Sequence, residues 1–178
     1  MNNALNMTKE EKIRKACTLA FEFERDYGCC SQGVLAAVQQ VLGNVDDATF
    51  KAVHSLAGGG ALMTGGTCGA LAGGMMAISS VYGRGWDDSV HWQNSQLYKQ
   101  SYKLSRQLYK RFAAEYGSVI CTGVQTSIYG RSYNMWDRED YAAFEDAGAH
   151  VDKCPSVTGN VAAWTVELLL EEAEKAGF

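Results

Sequence analysis

The sequence holds a single proline in 178 residues, against a usual share of about 5%. Proline punctuates loops and edge strands, so its near absence predicts helices joined by short turns. A basic excess is also missing: 16 Lys and Arg face 20 Asp and Glu, a formal net charge of −4. Phosphate backbones require a basic face, which excludes a general nucleic-acid binder. Met1 to Lys12 is polar and has no apolar h-region, so no secretory signal is read there and a cytoplasmic chain is expected. No charge block, low-complexity linker or internal repeat divides the sequence. Its length and 47% hydrophobic share suit one domain over residues 1–178, large enough to fold without a disulfide or a structural metal.

Several motifs are absent as well. Without C-x-x-C there is neither a thioredoxin-type dithiol nor a zinc ribbon. Without C-x-x-C-H there is no covalent haem, and the closely spaced cysteines of ferredoxins are missing. The glycine run from Gly58 to Gly74 contains neither G-x-G-x-x-G nor a P-loop, and no lysine lies within it, so a nucleotide loop fails on detail. Ser55 to Gly83 carries no Asp, Glu, Lys or Arg and is long enough to cross a bilayer. Its glycines at 58–60, 65–66, 69 and 73–74 interrupt the apolar content, so a buried segment is expected and not a stable membrane span. No Ser–His–Asp set or carboxylate pair emerges from the spacing.

What remains is helical periodicity. Thr8 followed by Glu11 is a capping box, and Ile13, Ala16, Cys17, Ala20 and Phe23 form a stripe on a helix over Thr8–Tyr27, closed by Gly28. A second helix starts near Cys30 or Ser31 and stops at Gly43. A shorter one starts near Asp46 and ends before Gly58. Others are predicted from Thr67 to Gly83, Asp88 to Tyr116, Ser118 to Ile128, Asp137 to Ala147 and Pro155 to Ala176. The expected fold is an all-α, single-domain multi-helix bundle with a glycine-rich, cysteine-bearing loop. Tyr98, Tyr102, Tyr109 and Tyr116 recur at spacings of four and seven, read as core edge or as the seam of a homodimer.

On this map Cys30, Cys68, Cys121 and Cys154 all fall at predicted helix starts, with Cys154 as N-cap before Pro155 at N1. Free amides and the positive end of the helix dipole favour a negative sulfur there, so lowered pKa values and reactive or ligating thiolates are expected. Cys17, on the apolar stripe, reads as a core residue. Cys29, beside Cys30, competes with it as a ligand. Of the three histidines, His91 and His150 read as surface or half-buried, while His54 stands near the glycine run as a donor to a ligand or a fourth ligand. A chain with six free-reading cysteines and no C-x-x-C admits three functions: an iron–sulfur electron-transfer protein, a thiol–disulfide redox protein, or a zinc-stabilised or cysteine-lined binding module.

Four stretches carry a resemblance: Cys30-Ser31-Gln32-Gly33-Val34, Thr67-Cys68-Gly69-Ala70-Leu71-Ala72-Gly73, Gly117-Ser118-Val119-Ile120-Cys121 and Lys153-Cys154-Pro155. In this order they resemble the bacterial redox-active family named for its C, CGAxxG, C and C signature, with a distant likeness to the non-haem part of split-Soret cytochromes. The resemblance implies an all-helical cytoplasmic protein whose four cysteines do electron or thiol redox chemistry with a partner protein. It implies Cys30, Cys68, Cys121 and Cys154 as redox-active thiols or as ligands of an iron–sulfur cluster. Gly66, Thr67, Gly69, Ala70 and Gly73 are then expected to wrap that cofactor.

Overall fold

The computed structural model describes residues 7–86 and 96–176. The fold is all-α: helices α1 (Lys9–Tyr27), α2 (Cys30–Leu42), α3 (Asp47–Ala52), α4 (Gly69–Tyr82), α5 (Gln96–Tyr116), α6 (Cys121–Tyr129), α7 (Arg138–Asp146) and α8 (Cys154–Ala176), with a 3-10 segment at His54–Gly59 and a π turn at Ala149–Lys153. Among the described residues none of these helices is long and apolar enough to cross a membrane.

Local chemistry sets most of the ends. Thr8 and Glu11 exchange hydrogen bonds across the first turn of α1, and Gly28 closes it in the left-handed region at φ 63°. Asp46 and Asp137 cap α3 and α7 through their carboxylates, as acceptors at N-caps do. Gly43, at φ 73°, stops α2. Three predicted starts shift. Helix α4 begins at Gly69 with Cys68 as N-cap, not at Thr67. Ser118 caps nothing; its Oγ accepts from the N–H of Ile120 in a turn, and Ile120 takes the N-cap of α6. Cys154 is not an N-cap but the first residue of α8, because the π turn delivers the chain already in helical geometry, at φ −62° and ψ −37°. The predicted start of the long helix at Asp88, with His91, lies outside the described residues.

The core gathers where α1 packs along α8, and where α4 meets α2, α5 and α8. Helix α4 reaches this central position because its inner face is small: Gly69, Ala70, Leu71, Gly73, Gly74, Ala77 and Ile78 are buried. A Cβ on Gly73 would stand 2.4 Å from the Ser31 carbonyl oxygen on α2, an overlap that only glycine avoids. The tyrosine stripe divides. Tyr116 is buried and its hydroxyl accepts from Asn160, whereas Tyr102 and Tyr109 are exposed. A second, smaller core of Tyr133, Phe144 and Ala149 joins the end of α6 to α7 and the π turn.

Candidate functional site

Between the two cores the four signature cysteines line one cavity of about 40 Å³, together with Glu24 of α1 and His150 of the π turn. Leu62, Val124, Ile128, Met135, Phe144 and Val157 complete much of its apolar wall. The volume admits only a few water-sized groups.

Each sulfur is delivered by a different local device. After Gly28 turns the chain, Cys29 takes the N-cap of α2 and Cys30 its first helical position. The Cys30 Sγ then lies over Gly69, where a Cβ would come within 2.5 Å of it. Cys68 and Cys121 are brought together by the glycine loop. Backbone N–H groups of Cys68 and Cys121 donate to Val119 and Gly66 at 2.8 and 2.9 Å, and Thr122 donates to Thr64 at 2.9 Å. To make these bonds the loop runs left-handed through Gly58, Gly59, Gly60, Ala61 and Leu62, and again at Thr64. For the three non-glycine residues this costs on the order of 1–2 kcal/mol each. Strain of this kind gathers where a site over-determines the backbone. Cys154 enters from the π turn, with the Tyr129 hydroxyl 3.2 Å from its Sγ.

The sulfurs are uncharged thiols, against the lowered pKa values that the helix starts predict. Burial pushes Cys68 to about 11 and Cys121 to about 12, and lifts Cys30 and Cys154 well above the ordinary 9.0. Cys30 and Cys154 remain partly exposed as residues, yet enclosure of the sulfur still outweighs every other influence on them. The amides of Ala70 and Leu71 pull against the rise at Cys68, as the Gly58 amide does at Cys30, but removing the sulfur from water dominates. Glu24 and neighbouring thiols add to the rise.

Glu24 is the residue that sequence reasoning missed. It follows Ala16 and Ala20 at intervals of four, so helical spacing sets it on the buried stripe of α1, and all three are buried. That spacing was the available signal: a carboxylate on an apolar face. Burial first, and Glu145 second, raise its pKa to about 8. Its Oε2 is buried without a hydrogen-bond partner among the described residues.

The remaining predicted residues separate. Ala70 lines the cavity, and Gly69 makes room for Cys30. Gly66 and Thr67 act through the backbone, Gly66 as acceptor for Cys121 and Thr67 in an isolated bridge with Ile120. Gly73 belongs to the α2–α4 crossing. Cys17 lies at the α1–α8 contact, its Sγ 3.2 Å from where a Gly159 Cβ would be. Cys29 faces a neighbouring recess with Tyr27, His54 and Trp136. There its Sγ lies 3.9 Å from the His54 Nδ1, which in turn lies 3.0 Å from the Gln32 Oε1.

The donor set fits an iron–sulfur group in kind: four soft sulfur ligands from four segments, with amide dipoles turned toward two of them. All six cysteines are free thiols. Among the described residues no three donor side chains stand close enough to hold an ion as they are, so loading requires the sulfurs to draw together and lose their protons, as thiol ligands do. The family model described as "Putative redox-active protein (C_GCAxxG_C_C)" matches residues 28–168. Within that span the chain reads Cys68-Gly69-Ala70, an order that differs from the Gly-Cys-Ala of the label. No curated protein and no solved structure matches the chain.

Proposed function

Because the chain belongs to the C_GCAxxG_C_C redox-active family, we propose that Cys30, Cys68, Cys121 and Cys154 hold an iron–sulfur cluster and that the protein carries electrons to or from a partner protein in the reducing cytoplasm. The observation that supports this reading is the convergence of four unpaired thiols on one enclosed cavity. Thiol–disulfide exchange needs a thiolate in reach of its partner, and burial holds these sulfurs neutral. A bound cation reverses that balance, since a coordinating thiol is deprotonated outright.

When bound, such a cluster supplies one-electron chemistry at a potential set by its surroundings. The chain supplies the rest. The Gly58, Ala70 and Leu71 amides favour negative charge on Cys30 and Cys68. Val124, Val157 and Phe144, all buried, keep water from the sulfurs. The Tyr129 hydroxyl orients Cys154.

Anaerobic reconstitution with iron and sulfide tests the reading. Wild-type protein is expected to turn brown and retain iron and acid-labile sulfide in stoichiometric amounts, and Cys68→Ser to retain almost none. Colourless wild-type protein, or a Cys68→Ser variant with full iron, contradicts it. Loss of two or four thiols on oxidation in iron-free protein would favour disulfide chemistry instead.

A further inference from the structure

Beside the four-thiol cavity lies an open recess of about 300 Å³, at the lower end of the range for small-molecule sites, ~300–1,000 Å³. Two aromatic residues border it, Tyr27 at the end of α1 and Trp136 just before α7. Both are largely exposed, at 73% and 70%, yet both are held in place. The Trp136 indole N–H donates to the Ala61 carbonyl at 2.8 Å, and its backbone N–H donates to the Asn134 Oδ1 at 3.1 Å. Tyr27 packs on Phe23, with ring centroids 4.9 Å apart. Ala61 and Leu62, two of the left-handed residues of the glycine loop, form another side of the recess. Fixing an exposed indole costs side-chain freedom and here buries little of the ring. An ordered aromatic face is, however, what a second flat ring stacks on.

The polar group of the recess is His54, and its neighbours settle its tautomer. The Gln32 side chain donates from Nε2 to the Phe50 carbonyl at 3.0 Å, and its Oε1 lies 3.0 Å from the His54 Nδ1. A carbonyl oxygen only accepts, so the Nδ1 carries the proton and donates. The Cys29 sulfur, 3.9 Å from the same nitrogen, is the longer contact. A neutral ring that donates from Nδ1 presents Nε2 as an acceptor, and among the described residues no group donates to it. We propose that the recess binds a planar aromatic molecule carrying a ring hydroxyl, with the ring against Trp136 and Tyr27 and the hydroxyl donating to the His54 Nε2. A phenol supplies both features at once, a flat π face and one donor. A carboxylate offers the bare nitrogen no proton, and an aliphatic alcohol offers the indole no face. The bound ring stands next to the redox cavity, across Ala57 and Leu62, which line both. The inference does not rest on iron, since none of the four signature sulfurs lines the recess.

Titration of p-cresol into anaerobic, iron-free protein tests it, at about pH 8, where an imidazole is ordinarily neutral. The Trp136 indole N–H resonance, assigned by its loss in Trp136→Phe, is expected to shift saturably. Two analogues separate the two contacts. p-Methylanisole keeps the flat ring without the donor, and p-methylcyclohexanol keeps the donor without the flat ring. Each is expected to bind about tenfold more weakly than p-cresol, the scale of one hydrogen bond or one stacked face. His54→Leu should weaken p-cresol about tenfold and leave p-methylanisole unchanged. Trp136→Ala, followed by saturation-transfer NMR on the ligand, should weaken both. His54 and Trp136 are exposed, so both variants should keep the wild-type helical content by circular dichroism. An indole resonance that does not move overturns the proposal. So does equal binding of p-cresol and p-methylanisole, or a His54→Leu variant that binds p-cresol as wild type does.

Discussion

Cys29 and Cys30 are neighbours in the chain and face different surroundings. Cys30 opens onto the small cavity of about 40 Å³ that it shares with three other thiols and Glu24. Cys29 faces a recess of about 300 Å³ beside His54 and Trp136. Its sulfur contacts the Ser31 hydroxyl at 3.7 Å, and the Gln32 amide and that hydroxyl both pull against the effect of burial. The two cavities share the wall residues Gly28, Ala57 and Leu62. Successive residues at a helix start point about 100° apart, so one peptide step separates an enclosed sulfur from one beside an open recess. Residue type does not decide which cysteine belongs to the site; the register of α2 does.

The walls of the two cavities should respond to truncation very differently. Phe144, 1% exposed, stands between the cavity, Tyr129 and His150. Phe144→Ala is expected to lower stability by about 3–5 kcal/mol and to weaken iron retention. Trp136 walls the recess, is 70% exposed, and has its indole N–H bonded to the Ala61 carbonyl. Trp136→Ala should stay within about 1 kcal/mol. Denaturant melts of both variants check the contrast, and comparable losses would erase it.

A pH series sharpens the same comparison. Glu24 titrates near 4.5 when unfolded and near 8 in the folded chain, so between those values the native state holds the extra proton. Stability of the iron-free protein is therefore greatest at the acid end of that window and falls as pH rises from about 4.5 through about 8. Glu24→Gln should flatten this dependence, as read from urea midpoints across the range. A fall that persists in the variant would assign it to other groups.

A finer contrast lies between the glycine loop and its exit into α4 at Gly69, and the smallest expected effect is at Gly65. A Cβ on Gly69 would meet the Cys30 Sγ at 2.5 Å and the Ala57 Cα at 2.9 Å. Gly69→Ala is expected to cost about 1–3 kcal/mol and to reduce iron loading. Gly65, whose nearest neighbour would be 3.8 Å away, should accept alanine within about 0.5 kcal/mol. Thermal unfolding with iron analysis distinguishes the two.

Much of this architecture could be read from the sequence because it depends on short-range chemistry. The Thr8–Glu11 box, the stops at Gly28 and Gly43, and the caps at Asp46 and Asp137 involve residues within one turn. The placement of four cysteines at helix starts is of the same kind. Their charge state was not readable, because it depends on enclosure. Amide dipoles favour charge on two of the four, Cys30 and Cys68, yet desolvation by walls drawn from α2, α4, α6, α7 and α8 outweighs them there and is the largest influence at Cys121 and Cys154 as well. The π turn before Cys154 also had no local signature; it arises where Gly148, at φ 87°, feeds the chain into α8. Glu24 stood within reach of the stripe argument. It escaped because a carboxylate at an apolar position is ordinarily taken to point outward, and here α2, α8 and the π turn cover it.

The most direct measurement is iron and sulfide content after anaerobic reconstitution of Cys29→Ser and Cys30→Ser side by side. The account predicts that Cys29→Ser keeps the wild-type stoichiometry and colour, while Cys30→Ser loses most of both. Equal retention, or loss at Cys29 with retention at Cys30, would contradict the assignment of the four-sulfur cavity as the redox centre.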